Sequence, residues 1–258
     1  MAYSIDSTDF STYNLRILSC MGALDFPKRI GDIEYNWGDS NGIEAYTDAD
    51  ELFFDGRKIT LKAYYYGSSL MSDLETFIST YKGASVSLET TFGTFTVKLQ
   101  AINGESILRP ESHAILVIEF WQKDVTINSA PVATGGTGIT LGGFDFFVDF
   151  GLNVKSVSGL YDIPNFSPRQ LTYQNIPEDL SQYRNPRSIR VELNGSFTSV
   201  AALISAVNNL MYMVCSAGMK TLSYRGNSFT CYFADGASVE VNLKAKTTIL
   251  TLTLRVVE

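Results

Sequence analysis

His113 is the sole histidine of the chain, so any catalytic triad, acid–base dyad or multi-histidine metal site built within one copy has to pass through it. Its setting, Pro110-Glu111-Ser112-His113-Ala114, reads as a loop entering a strand, and the expectation is a surface or turn residue. Carboxylates gather between Asp25 and Asp55, where Asp32, Glu34, Asp39, Glu44, Asp48, Asp50 and Glu51 face only Lys28 and Arg29. Asp48-Ala49-Asp50 followed by Asp55-Gly56 has the oxygen donors of a calcium loop but not its spacing, which needs glycine at position six and glutamate at twelve. Glu34 and Glu44 have the residue types of a glycosidase acid and base. Sequence supplies neither a separation nor a raised pKa for them, so the segment is read as a solvated or partner-facing acidic hairpin. Gly135-Gly136-Thr137-Gly138 lacks the lysine of a phosphate-binding loop. Cys20, Cys215 and Cys231 are odd in number and have no metal-ligand spacing, which reads as three small buried hydrophobes. The expectation is no catalytic residue, no metal site and no cofactor.

Aromatic residues offer a different chemistry. Trp37, Tyr46, Phe53, Phe54 and the run Tyr64-Tyr65-Tyr66 have the flat faces of a sugar-stacking platform, and equally those of a protein interface. Consecutive strand residues point to opposite faces, so at least one of Tyr64 and Tyr65 is expected to be buried. The interface candidates are Asp32, Glu34, Trp37, Asp39, Glu44, Tyr46, Asp48, Asp50, Phe53 and Phe54.

The net charge of −7 and the pI near 4.8 disfavour tight binding to a phosphate backbone. With 45% hydrophobic and 18% charged residues over 258 positions, the chain has apolar matter for two cores. The abundance of Tyr and Phe (14 and 16) favours sheet over helix. The N-terminus lacks a basic region followed by an apolar one, and no run of 18 apolar residues occurs, so a soluble cytosolic product without membrane insertion is expected.

The elements that must position these residues come in two sets. Asn14–Pro27, NLRILSCMGALDFP, aligns without gaps on Gly151–Pro164, GLNVKSVSGLYDIP, with Leu, Ser, Gly, Asp and Pro identical at matching places. Arg57-Lys58-Ile59-Thr60-Leu61 matches Arg187-Ser188-Ile189-Arg190-Val191, each a strand with apolar alternation. A helix then follows in each half. Leu70, Met71, Leu74, Phe77, Ile78 and Tyr81 line one face after Ser68 or Ser69 as N-cap, and Val200, Leu203, Ile204, Val207, Leu210 and Met211 do so after Thr198 or Ser199. Gly83 and Gly218 stand just past the helix ends. Phe95-Thr96-Val97 then corresponds to Phe229-Thr230-Cys231, and the closing strand Ile115–Phe120 to Ile249–Leu254. The predicted fold is mainly β with α: two tandem β-sandwich domains, each with one flanking helix. The first spans 1–124, a Gly-rich linker or loop spans 125–143, and a diverged copy spans 144–258.

One stretch carries a family likeness. Leu24-Asp25-Phe26-Pro27-Lys28-Arg29, the acidic hairpin, and Phe53-Phe54-Asp55-Gly56-Arg57-Lys58-Ile59-Thr60-Leu61 with the helix after it resemble the N-terminal domain of phage distal tail proteins. Gly56-Arg57-Lys58-Ile59-Thr60-Leu61 is similar to the Gly-Arg-x-Ile-x-Leu strand start of that family. The resemblance covers roughly residues 5–121 and, more faintly, 144–257. It implies a tail-tube-like domain placed in a hexameric ring, while the internal repeat keeps open a pseudo-hexameric trimeric ring. Through that ring DNA passes without specific binding, next to tail tube, tape-measure and baseplate proteins, in a virion tail assembled in the host bacterial cytoplasm. The family brings no catalytic residues. Many of its members carry a sugar-binding domain in the second half, whereas the repeat leads one to expect a second ring-type domain in this chain, which makes baseplate hub and tail-tube proteins close competitors. The rival from another class is a carbohydrate-binding module for host surface recognition that uses the exposed aromatics.

Overall fold

The computed structural model describes residues 3–35, 43–109, 112–162, 170–173, 176–179 and 187–257, with backbone alone for 170–179. In chain order the elements are β1 (Ser4–Ile5), β2 (Thr8–Asp9), a 3-10 turn (Phe10–Tyr13), β3 (Leu15–Met21), β4 (Glu34–Tyr35), β5 (Glu44–Ala45), β6 (Arg57–Tyr65), α1 (Leu70–Tyr81), β7 (Val86–Thr90), β8 (Gly93–Arg109) and β9 (His113–Gln122). There follow β10 (Thr140–Leu141), β11 (Phe144–Asp145), α2 (Phe146–Phe150), β12 (Leu152–Ser158), β13 (Gln170–Tyr173), β14 (Ile176–Asp179), β15 (Ser188–Ser196), α3 (Val200–Cys215), β16 (Lys220–Tyr224), β17 (Asn227–Phe233), β18 (Val239–Asn242) and β19 (Thr247–Val256). The fold is mainly β with three α-helices among the described residues, as the composition predicts.

Two compact units result. One comprises Met1–Asp25 and Asp55–Thr126, the other Phe26–Phe54 and Ile127–Glu258. This division differs from the sequence-based boundaries at two places. The segment 26–54, expected in the first domain, belongs to the second unit. The Gly-rich stretch, expected as a linker or an exposed loop, is exposed and without regular structure over residues 132–138, yet it builds part of the second unit's sheet through β10 and is pinned to that unit. Thr134 donates from N and Oγ1 to Asp149 (2.8 and 2.6 Å), and the Gly138 amide donates to Asp145 (2.9 Å). A Cβ at Gly136 would lie 2.2 Å from an Asp145 carboxylate oxygen, so glycine there serves close approach rather than mobility.

In the first unit the strand order is β2-β1-β7-β8-β9-β6-β3; in the second it is β11-β10-β16-β17-β19-β15-β12, with β18 also on β19. Element for element the two paths coincide, and so do their registers. Leu15 faces Tyr65 and Met21 faces Thr60, with a bulge between Ile17 and Ser19; Leu152 faces Gly195 and Ser158 faces Arg190, with a bulge between Val154 and Ser156. Phe95 faces Leu88 as Phe229 faces Leu222. Past β3 the chain turns at Gly22 (φ +79°), and past β12 at Gly159 (φ +82°). A Cβ at either would stand 2.0 Å from the Lys58 carbonyl oxygen or 2.2 Å from that of Ser188. Positive φ and backbone contact together explain why the repeat keeps glycine there.

Period-two burial in β6 places Ile59, Leu61, Ala63 and Tyr65 at 0% exposure, and Val191 and Leu193 of β15 are sealed in the same way. Burying each of the Ile, Leu and Val side chains among these contributes about 1.5–3 kcal/mol. In the first unit α1 buries Leu70, Phe77 and Tyr81. Phe77 packs edge-on to Tyr13 at 5.0 Å, and the Tyr13 and Tyr81 hydroxyls lie 2.9 Å apart. Asp73 accepts from Tyr65 Oη (2.6 Å) and Asn14 Nδ2 (2.9 Å), fixing the helix in place. Met71, expected on the packed face, is 59% exposed, because at 100° per residue it leaves the narrow stripe formed by Leu70, Phe77 and Tyr81. In the second unit α3 begins at Ser199, whose side chain accepts from the Ala202 amide. It ends under Lys220, whose Nζ donates to the carbonyls of Ser216, Ala217 and Gly218 at 2.7–3.0 Å. A cation at the carbonyl end of a helix is stabilising.

Candidate functional site

The segment 26–54 is an arm, and its docking on the second unit gathers several residues that sequence alone reads separately. The strand path opens there: β17 ends at Phe233 and β18 starts at Val239. Residues 26–29 lie along the gap. Phe26 and Ala237 exchange backbone hydrogen bonds (2.7 and 3.3 Å), and the Arg29 amide donates to the Ala234 carbonyl (2.8 Å). Phe26 meets Phe233 edge-on at 6.1 Å. Farther along, the Gly218 amide donates to the Thr47 carbonyl (2.8 Å), and Ile43 packs with Tyr232 and Ala234. With Phe26 and Ile43 only 4% and 6% exposed, these two side chains supply about 1.5–3 kcal/mol each to holding the arm.

Charge adds direction to this seam. Arg255 of β19 makes ion pairs with Glu34 on the arm (2.9 Å) and with Asp235 in the gap (2.7 Å), and Tyr232 donates its hydroxyl to Glu34. The two carboxylates raise the Arg255 pKa, the hydrogen bond to Asp235 being the largest contribution. Arg29 lies deeper, 2% exposed, with its guanidinium over the Tyr232 ring at 5.9 Å and one nitrogen donating to the Tyr46 carbonyl. Burial lowers its pKa. Its Nε and Nη1 have no hydrogen-bond partner among the described residues, a cost that the apolar packing around it must offset.

The sequence-derived interface residues therefore divide. Glu34 pairs with Arg255 and so takes part in docking the arm, whereas the Tyr46 carbonyl and Phe54 are tied to Arg29 within the arm itself. Asp32, Glu44, Asp48, Asp50 and Phe53 are exposed, Phe53 at 61%. Trp37 and Asp39 lie outside the described residues. The partners on the other side, Tyr232, Asp235 and Arg255, were not singled out by sequence reading. The one available signal was the second half's departure from the first, which has Lys98 and Trp121 at the positions of Tyr232 and Arg255.

His113 differs from its expectation. It opens β9 half-buried, with its ring 5.8 Å from Tyr64 and Nδ1 3.0 Å from Ser112 Oγ. Tyr64 also stacks on Tyr66 at 6.5 Å, while Tyr65 is fully buried, as alternation requires. Tyr3, Arg16, Tyr64 and Tyr66 line an open groove of about 530 Å³ in the first unit. Among the described residues no group of three or more His, Cys, Asp or Glu is placed to hold a metal ion. Burial pushes the thiols of Cys20, Cys215 and Cys231 up to about 12, the opposite of what a nucleophile needs.

The arginine of the family-like motif has a structural role. Arg57, opening β6, donates from Nε to Gln122 (2.7 Å) and from Nη1 to the Asp25 carbonyl (3.0 Å), with its guanidinium 5.2 Å from the centre of the Phe95 ring. Arg187 repeats this before β15, donating to the Leu160 carbonyl (2.8 Å) over the Phe229 ring at 5.4 Å.

No protein-family model matches the chain, and no curated protein matches it. Among solved structures it is similar to the crystal structure of SPP1 Dit (gp 19.1), described as a paradigm of the hub adsorption apparatus in phages that infect Gram-positive hosts. The two are 12% identical, the match covers 98% of this chain and 97% of that one, and the TM-score is 0.36.

Proposed function

We propose that this protein is a structural subunit of a phage or prophage tail, at the distal end where tube, tape-measure and baseplate proteins meet, and that its two units are duplicated copies of one ring-forming domain. The observation that carries this reading is the coincidence of strand order, register, β-bulge and arginine pin between the two units. A duplicated assembly domain gives a single chain two equivalent places around an axis, so that three chains supply six similar domains. The Gly-Arg-x-Ile-x-Leu strand start supports the tail family, and the net charge of −7 suits a channel that must not retain DNA. Asp32, Glu44, Asp48, Asp50 and Phe53, exposed on the arm, are the residues proposed for ring contacts or lumen. Antibody labelling of intact tails tests this: label confined to the tube–baseplate junction is expected, and tails without label contradict it.

The second reading, carbohydrate recognition, draws on the groove beside Tyr64 and Tyr66, whose stacked rings and neighbouring Arg16 have the chemistry of a sugar subsite. Selective binding by the isolated chain on a glycan array would favour it.

A further inference from the structure

The coincidence of the two strand paths supplies an internal control on the open groove of the first unit. A residue that the fold requires recurs in the second unit at the matching register, whereas one that serves a ligand need not. Asp9, which lines the groove, recurs. It caps the 3-10 turn by accepting from the Ser11 amide (2.7 Å), as Asp145 caps α2 by accepting from the amides of Phe147 and Val148. Tyr3, Arg16, Tyr64 and Tyr66, which line it too, do not recur. Arg16 faces Tyr64 across β3 and β6 as Asn153 faces Asn194 across β12 and β15. Tyr66 follows Tyr65, the partner of Leu15, where Ser196 follows Gly195, the partner of Leu152. The Tyr3 carbonyl accepts from the Phe10 amide as the Ile139 carbonyl accepts from that of Phe146, both at 3.3 Å. The same strand pairing therefore forms with Ile, Asn, Asn and Ser at these places, so it does not call for the three tyrosines and the arginine of the first unit.

Arg16, Tyr64 and Tyr66 share one face of the sheet, because residues two apart on a strand and residues directly opposed on an antiparallel pair point the same way. The two rings lie within 26° of parallel, with centroids 6.5 Å apart. Arg16 is exposed and makes no hydrogen bond or ion pair among the described residues, whereas Arg29, Arg57, Arg187 and Arg255 are each committed within their own unit. A free guanidinium is a planar fork of N–H donors that matches a carboxylate or a phosphate. The groove's volume of about 530 Å³ falls within the roughly 300–1,000 Å³ of small-molecule sites. We infer that this groove binds an anionic saccharide, with an apolar face of a sugar ring against Tyr64 and Tyr66 and a carboxylate or phosphate on Arg16. The inference rests on the carbohydrate reading above and adds the charge of the ligand and the group that reads it. The Asp9 carboxylate on the same groove disfavours a second negative group beside it. Across the net charge of −7 no anion is drawn in from a distance, so selection falls to the short-range contact with Arg16.

Transplanting the second unit's residues into the first tests this. Arg16→Asn, Tyr64→Asn and Tyr66→Ser each install what the matching strand position already carries, and unchanged circular dichroism and melting confirm the fold. The full chain and each variant are applied at low salt to an array of uronic-acid, phosphorylated and neutral glycans. Binding confined to the anionic members is expected, and the uronic-acid and phosphorylated arms tell carboxylate from phosphate as the charged group. Arg16→Asn is expected to weaken that binding about tenfold or more, and Arg16→Lys, which keeps the charge and loses the fork, to weaken it less. High salt acts in the same direction as Arg16→Asn, and Tyr64→Asn and Tyr66→Ser weaken binding through the lost stacking. Neutral members bound as well as anionic ones, or anionic binding that survives Arg16→Asn, overturns the inference and leaves the carbohydrate reading standing. No member bound at all overturns both and leaves the tail-subunit reading as it was.

Discussion

At the scale of single residues, the same few devices recur in both halves of the chain. Arg57 and Arg187 each tie the start of a strand to the turn that follows the first long strand, and each rests on a phenylalanine from the next hairpin. A motif arginine that faces inward in this way is a packing element, and its presence says more about ancestry than about ligands. The cysteines allow a test by pH. A thiol pushed up to about 12 from an ordinary 9.0 keeps its proton more tightly in the folded than in the unfolded chain. Its contribution to stability is therefore complete below about pH 9 and declines as pH rises from 9 toward 12. Urea midpoints measured at pH 7.5, 9 and 10.5 should fall more steeply in the native protein than in C215A/C231A. Parallel curves would show that the thiols are not held protonated.

At the scale of elements, local periodicity was the most legible feature. The helix over 70–81 follows from apolar spacing, and the start of the helix at Val200 from apolar spacing and the Ser199 cap, which are short-range. The docking of the arm was not legible, because its partners are remote. Glu34 reads as one carboxylate in a solvated acidic hairpin until Tyr232, 198 positions away, and Arg255 are brought to it. The Gly-rich stretch misled for a related reason: glycine that permits approach to Asp145 has the same composition as glycine that confers flexibility. The arm is a latch of measurable strength. Replacing Arg255 by Leu removes two charge-assisted contacts and leaves Glu34 and Asp235 without a cation, a loss of about 1.4 kcal/mol or more. Cleavage within residues 26–54 by a dilute protease should accelerate about tenfold, whereas Lys58→Met, which breaks the exposed pair with Glu119 in the first unit, should leave it unchanged. Equal cleavage of Arg255→Leu and native protein would contradict the latch.

At the scale of the whole molecule, two units of one strand order invite symmetry. A chain with two equivalent domains can satisfy a sixfold tube with three copies, and a head-to-tail contact closes only if the rotation it imposes completes a circle. Under the proposed ring reading, a hexamer of chains, which the family resemblance favours, would place one domain of each chain per ring position, and either ring would have to admit a duplex. Free subunits that stay monomeric in dilute solution are compatible with both, since a ring that assembles on a tube or tape-measure protein needs no stable oligomer beforehand. The decisive measurement is electron microscopy of tails with this chain located by a bound antibody fragment. Threefold or sixfold placement around an axial channel wide enough for DNA is the predicted result, and placement with neither symmetry, or on appendages away from the axis, would contradict it.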